Sequence, residues 1–333
     1  MTQMSHRVAM GGGVLGFALA LTSCSKSEGP APIVCGPPTD EAPAELACTG
    51  LYADFDAKAV SKTARLYAPA VSFWSDGYDK TRWIELPDGT TIDASSMDEW
   101  KFPVGTKVWK EFRFKERKIE TRLLWKVKSD RWVEAAYVWS EDGSTATRGE
   151  GQSLTVAGAA YKIPAVIECN DCHKGKLDTL LGFEAVSLAQ PAATGLTLAV
   201  LAQENRLTPP PSRTTIALDP GLGVLHVNCG VSCHNSTPAA NGRDSTLRLR
   251  VGFDEAASKP LDSWELSSSA VNVPATLPAW RSGPRIAPGA PDKSVIIASM
   301  KERGTGQMPP KAREIDFAGI GAVEAFVRSL PPR

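Results

Sequence analysis

Two short stretches combine the residue types that bind metals or form covalent links to a cofactor: Glu168–Gly175 reads ECNDCHKG and Asn228–Asn235 reads NCGVSCHN. The chain holds 7 cysteines and 4 histidines in 333 residues. Chance then predicts only about 0.002 matches to C-x-x-C-H. Two thiols about one turn apart can add across the two vinyl groups of a haem, and a histidine directly after the second thiol comes beneath the iron. Cys169, Cys172 and His173 have that spacing. In the second stretch Gly230, Val231 and Ser232 separate Cys229 from Cys233, so the loop must bulge to present both sulfurs, while His234 keeps its place after the second cysteine. The predicted cofactor is haem c, one or two groups, covalently attached.

A thioether from the far side would complete one iron. Met308 lies in GTGQMPPK (Gly304–Lys311), where two prolines stiffen the loop that carries it. No methionine occurs between His173 and Met300, so the sixth ligand of a first haem is open. His226 is one candidate for it, and is equally readable as a hydrogen-bonded partner near the second haem. A zinc site built from Cys169, Cys172, Cys229 and Cys233 is the main alternative. It would leave both trailing histidines without a purpose, and exported thiolates face oxidation. A thioredoxin-like redox pair would need a βαβ context that the sequence does not offer.

The N-terminal residues read as a targeting device. Arg7 gives a positive start, and Val8–Leu21 is apolar but too short to span a bilayer. Leu21, Thr22, Ser23 and Cys24 are similar to a bacterial lipobox, which predicts cleavage after residue 23 and lipidation of Cys24. Ser25 after the lipid site points to a lipoprotein of the outer membrane facing the periplasm, within the cell envelope. In that oxidising space few thiols should stay free. Cys35 and Cys48, outside both motifs, are expected to form a disulfide, with two separate thiols as the alternative. Lys plus Arg equals Asp plus Glu at 37 each, so no basic field exists to collect nucleic acid.

Residues 24–50 read as a tether, with Ser25–Ala47 rich in Pro, Ala, Glu and Ser. Residues 51–160 read as a β-rich domain. Trp83–Leu86, the turn Pro87-Asp88-Gly89 and Thr90–Ile92 predict one hairpin. Glu120–Lys128, a polar turn and Trp132–Trp139 predict a second. With Trp83, Trp109, Trp125, Trp132 and Trp139 the region predicts an antiparallel, sandwich-like module with an aromatic core. Residues 161–333 read as helical pieces: Asp178–Leu188, Ala193–Ala202, Lys293–Arg303 and Asp316–Leu330. The last carries Phe317, Ile320, Val323, Phe326, Val327 and Leu330 along one side.

FPVGTKVWKEFRF (Phe102–Phe114), ETRLLWK (Glu120–Lys126), YVWSEDG (Tyr137–Gly143), YKIPAVIECNDCH (Tyr161–His173), VNCGVSCHN (Val227–Asn235), PGAPDKS and QMPP together give a set of motifs that resembles a poorly characterised family of bacterial diheme c-type cytochromes. The resemblance spans most of the chain beyond the tether. It implies an α+β architecture, in which an antiparallel β-sandwich-like domain precedes a mainly α-helical cytochrome c-like domain, with haem at His173 and His234 and Met308 as a distal ligand. The widened second motif departs from the family pattern. Together these readings predict a lipid-anchored electron carrier whose partners are redox proteins of the envelope. A diheme peroxidase or oxidase with an open iron, and a non-redox structural lipoprotein, are the alternatives.

Overall fold

The computed structural model describes residues 1, 33–37, 39–280 and 283–332. Cys24 and the segment read as a signal peptide lie outside the described residues. Among the described residues no helix is long and apolar enough to cross a membrane.

Strands dominate because β-branched and aromatic residues alternate with polar ones across residues 65–149. Seven strands build one antiparallel sheet: β1 (Arg65–Ala68), β2 (Asp79–Glu85), β3 (Lys107–Phe114), β4 (Arg117–Lys128), β5 (Arg131–Trp139), β6 (Ala146–Gly149) and β7 (Thr194–Gly195). Their spatial order is β7-β1-β2-β3-β4-β5-β6. The hairpin β4–β5 pairs Leu123 with Ala135 and Arg122 with Ala136, so odd and even positions of β4 face opposite ways.

Those two faces differ. One carries Trp83, Trp109, Leu123, Ala135 and Tyr137, covered by Ala42, Leu46, Leu51 and Tyr52. Part of the stretch read as a tether is therefore packed: Leu46 is fully buried, because an exposed row of tryptophans needs an apolar lid. The structure joins Cys35 to Cys48, with Cα atoms 5.4 Å apart, at the start of this covering segment. The other face carries Ile84, Val108 and Leu124, covered by Leu180, Phe183, Leu188 and Leu196 from the second half of the chain.

The fold-class expectation is corrected on two points. The sheet is not half of a sandwich: its covers are a short 3-10 turn and a small two-stranded ribbon (Tyr52–Asp54 with Ala59–Val60) on one face and short helices on the other. Nor is the second half mainly α-helical or cytochrome c-like. Its helices are short, from four residues (Ala185–Leu188) to thirteen (Phe317–Ser329). The loops between them are fixed by long-range contacts as well as by helix packing; β7, for example, is drawn from that half into the sheet. The expected hairpin at Pro87–Gly89 is also absent. Ile92 pairs in parallel with Leu207 instead, because its fully buried side chain belongs to the core shared with the second half.

Four helices position the motifs: α1 (Val166–His173), α2 (Ala185–Leu188), α3 (Pro220–Leu225) and α4 (Val295–Lys301). The terminal helix α5 (Phe317–Ser329) buries Ile320, Val323, Phe326 and Val327 in a core with Leu222 and Leu225 of α3. Gly221 allows this close approach, since a Cβ there would lie 2.5 Å from the Ala322 carbonyl oxygen.

Candidate cofactor site

The first motif is the helix α1 itself. Glu168 closes its N-terminus by accepting the Ala165 N–H at 2.9 Å, and pairs with Lys162. Cys169 and Cys172 are three residues apart and so share a face. His173 Nδ1 donates to the Thr179 carbonyl at 2.8 Å. That bond fixes the tautomer and leaves the Nε2 lone pair unused, as in metal-ligating histidines. Burial, then the charge of Lys110, brings the His173 pKa down to about 4, so the ring is neutral at physiological pH, the form that ligates metals. No residue of α1 is fully buried, and Ile167 is 75% exposed.

The second motif is built differently. Helix α3 starts at Asp219, whose carboxylate accepts the Gly221 N–H at 2.8 Å, and runs directly into a π-turn over His226–Gly230. There the Val231 N–H reaches back five residues to the His226 carbonyl at 2.8 Å, and the His234 N–H reaches the Cys229 carbonyl at 2.8 Å. A π-turn absorbs one extra residue without breaking the hydrogen-bonded chain. Gly230, the first residue of the three-residue spacer, closes the π-turn, and Val231 and Ser232 follow in a turn. His234 Nδ1 lies 3.2 Å from Ser245 Oγ, whose own proton goes to the Gly242 carbonyl at 2.6 Å. Nδ1 is therefore the donor and Nε2 keeps its lone pair. Burial, helped by Arg285 and Arg248, brings the His234 pKa down to about 4.

The two motifs touch. Ser232 Oγ donates to the Cys172 carbonyl at 2.8 Å, and Asn235 Nδ2 donates to the Gly175 carbonyl at 3.2 Å. Asn241 Nδ2 donates to the Asp171 carbonyl at 2.7 Å. Gly175 has no room for a side chain, because a Cβ would lie 1.8 Å from the Ser232 oxygen. Lys176 and Arg250, which follow the two motifs, both pair with Glu99. Asp178 accepts Lys126 Nζ at 2.6 Å and Trp132 Nε1 at 2.8 Å, which ties the first motif to the sheet.

Beside the second motif is a cavity of about 310 Å³ whose lining includes Cys229, His234 and Met308. Leu247, Leu249, Trp280, Ile296 and Met300 make most of the remaining surface apolar, and Arg285 is its one cationic lining residue among the described residues. The Met308 loop is held by its neighbours: Gln307 Nε2 donates to the Ala312 carbonyl at 2.9 Å, and the Met308 N–H donates to Ser299 O at 2.8 Å. Volume and lining match the pockets that hold organic cofactors. A thiol, an imidazole with a free lone pair and a thioether are groups of the kind that hold a haem c, but Cys233, the second tether, is not among the lining residues.

Burial pushes the Cys169 and Cys229 thiols up to about 12, with Glu134 adding to the effect at Cys169. Protonated thiols are poor nucleophiles for disulfide exchange, and the thioredoxin-like alternative loses ground. Among the described residues no group of three or more His, Cys, Asp or Glu is gathered to hold a metal ion, so the four cysteines do not form a zinc cage. His226 is corrected as an axial ligand. Its Nδ1 accepts the Val251 N–H at 2.9 Å and its Nε2 meets Glu184 Oε1 at 3.2 Å, so neither nitrogen is free. Burial opposes the charge of Glu184, but His226 and the Ser187 N–H outweigh it and hold this carboxyl at about 2.

Sequence reasoning missed Thr179, Ser245, Trp280, Arg285 and Met300. The turn-rich spacing after each motif was the only signal for the first two, and the others reach the cavity from far along the chain. Of the four motif cysteines, Cys229 lines the cavity; Cys233 sits 3.5 Å from Ser232 Oγ on the side of the first motif. No family model, curated protein or solved structure matches the chain.

Proposed function

We propose that the protein is an electron carrier of the cell envelope, in which Cys229, Cys233, His234 and Met308 would hold one haem c and Cys169, Cys172 and His173 a second. The observation that carries this reading is the apolar cavity walled by Cys229, His234 and Met308. When bound, such a group takes up and releases single electrons at its iron, with histidine–methionine ligation raising its potential. The chain's own part is to orient two neutral imidazoles through Thr179 and Ser245, to exclude water with Leu249, Ile296 and Trp280, and to hold the Met308 loop. The hydrogen bond between Ser232 and the Cys172 carbonyl holds the two motifs side by side, so that haems held there would lie near one another.

Membrane attachment through a lipidated Cys24, an outer-membrane location and redox-protein partners belong to the same proposal. The test is mass spectrometry and pyridine haemochrome analysis of protein matured in a haem-attaching periplasm. Two covalent haems are expected, one lost in Cys172→Ser and the other in Cys233→Ser. A colourless product of unmodified mass would end this reading.

A further inference from the structure

The sheet face beneath the first motif carries a row of cations. Register places Arg82 of β2 directly opposite Lys110 of β3, and Lys110 directly opposite Arg122 of β4. Lys80 stands two residues from Arg82 on the same face. Like charges directly opposed on neighbouring strands destabilise a sheet. Local compensation is thin. Arg82 Nη2 donates to Ser72 Oγ at 2.8 Å and Lys80 Nζ to the Phe73 carbonyl at 2.5 Å, both neutral acceptors. Arg122 pairs with Glu120, whose same oxygen also accepts the Tyr161 hydroxyl at 2.5 Å. Lys110 has no hydrogen bond or ion pair among the described residues; its Nζ stands over the Phe112 ring at 5.0 Å, and the charge of Glu120 partly offsets those of its cationic neighbours. Burial, then Arg122, Arg82 and Lys80, pushes the Lys110 ammonium well below its ordinary range.

The row is not remote from the first motif. The charge of Lys110 acts on His173 and Cys172, and that of Arg122 on His173 and Cys169. Helix α1 packs beside β5, the neighbour of β4 in the sheet. A partly desolvated row of three opposed cations, with one carboxylate among them, has the make-up of a site for a planar or tetrahedral oxyanion. Arg82 and the remaining Nη1 edge of Arg122, whose Nε and Nη2 are taken by Glu120, flank the Lys110 amine, which can take a further oxygen.

We infer that Arg82, Lys110 and Arg122 form a binding site for a small oxyanion or carboxylate next to the first motif. Two sources share this chemistry: the carboxylates of a group tethered at Cys169 and Cys172, which rests on the function proposed above, or a free anion from solution, which does not.

The test is calorimetric titration of inorganic phosphate at constant ionic strength into the full chain, its Lys110→Met variant and, as a control for net charge, Lys128→Met. Lys110→Met removes a half-buried like charge and is expected to fold at least as stably. A free-anion site gives one bound phosphate, weakened at least tenfold by Lys110→Met and unchanged by Lys128→Met. If tethered carboxylates fill the row, phosphate binds only after Cys169→Ser with Cys172→Ser, and Lys110→Met again weakens it. Phosphate bound by neither form, or bound equally by Lys110→Met, overturns the inference. Haem content, read separately, distinguishes that result from failure of the electron-carrier reading.

Discussion

The two cysteine–histidine motifs share a composition and differ in nearly everything around it. The first is a surface helix without a fully buried residue, laid near a charged sheet face. The second is a π-turn whose His226, Val227, Asn228 and Gly230 are buried, opening on an apolar cavity with a thioether in its wall. The difference teaches that spacing specifies which groups can reach a cofactor, while the surroundings decide what happens there. An apolar setting beside an imidazole and a thioether would favour a stable redox couple if a haem is held there as proposed. A surface helix beside a row of cations opposed across three strands favours contact with anions.

The largest expected effect tests the contact between the two. Gly175→Ala drives a Cβ into the Ser232 carbonyl and should cost about 3 kcal/mol or more, read as a lowered midpoint in urea. An unchanged midpoint would mean the motifs are not pressed together. Next comes Glu184→Gln, which removes the charge that receives His226 and caps α2. Its folded pKa of about 2 is depressed from 4.5, so its contribution is present above pH 4.5 and lost as pH falls towards 2. A loss of about 3 kcal/mol at pH 7, shrinking steadily below pH 4.5, is the expected result in denaturation series at several pH values. Met308→Ala sharpens the asymmetry at smaller cost, about 1–2 kcal/mol for trimming a half-buried side chain. In the loaded protein it should lower the potential of one centre and leave the other unmoved in spectroelectrochemistry. Smallest of all, Ile167→Ser on the exposed side of α1 should change stability by no more than about 0.5 kcal/mol in a thermal melt.

Local patterns were legible in the sequence. The alternation through Glu120–Trp139 marks the β4–β5 hairpin, and the three- and four-residue spacing from Phe317 to Leu330 marks α5. What the sequence did not show depends on partners far away. Ile92 leaves its expected hairpin for Leu207, and Asp178 is read locally as the start of a helix but serves as the acceptor for Lys126 and Trp132. The π-turn was equally hidden: a bulge is implied by the three-residue spacer, but a bulge absorbed inside a helix requires the packing of α5 against α3 to support it. The cation row was invisible because its members come from three strands, and only the register brings them together.

The covalent link between Cys35 and Cys48 has a mechanical consequence. Tension applied to the chain at residue 35 bypasses the thirteen-residue separation and enters at Cys48, beside Leu46 and Leu51, which are clamped over Trp109 and Leu123. A tug from that end therefore loads the central strands β3 and β4 through their aromatic flank. It does not peel the covering segment away residue by residue.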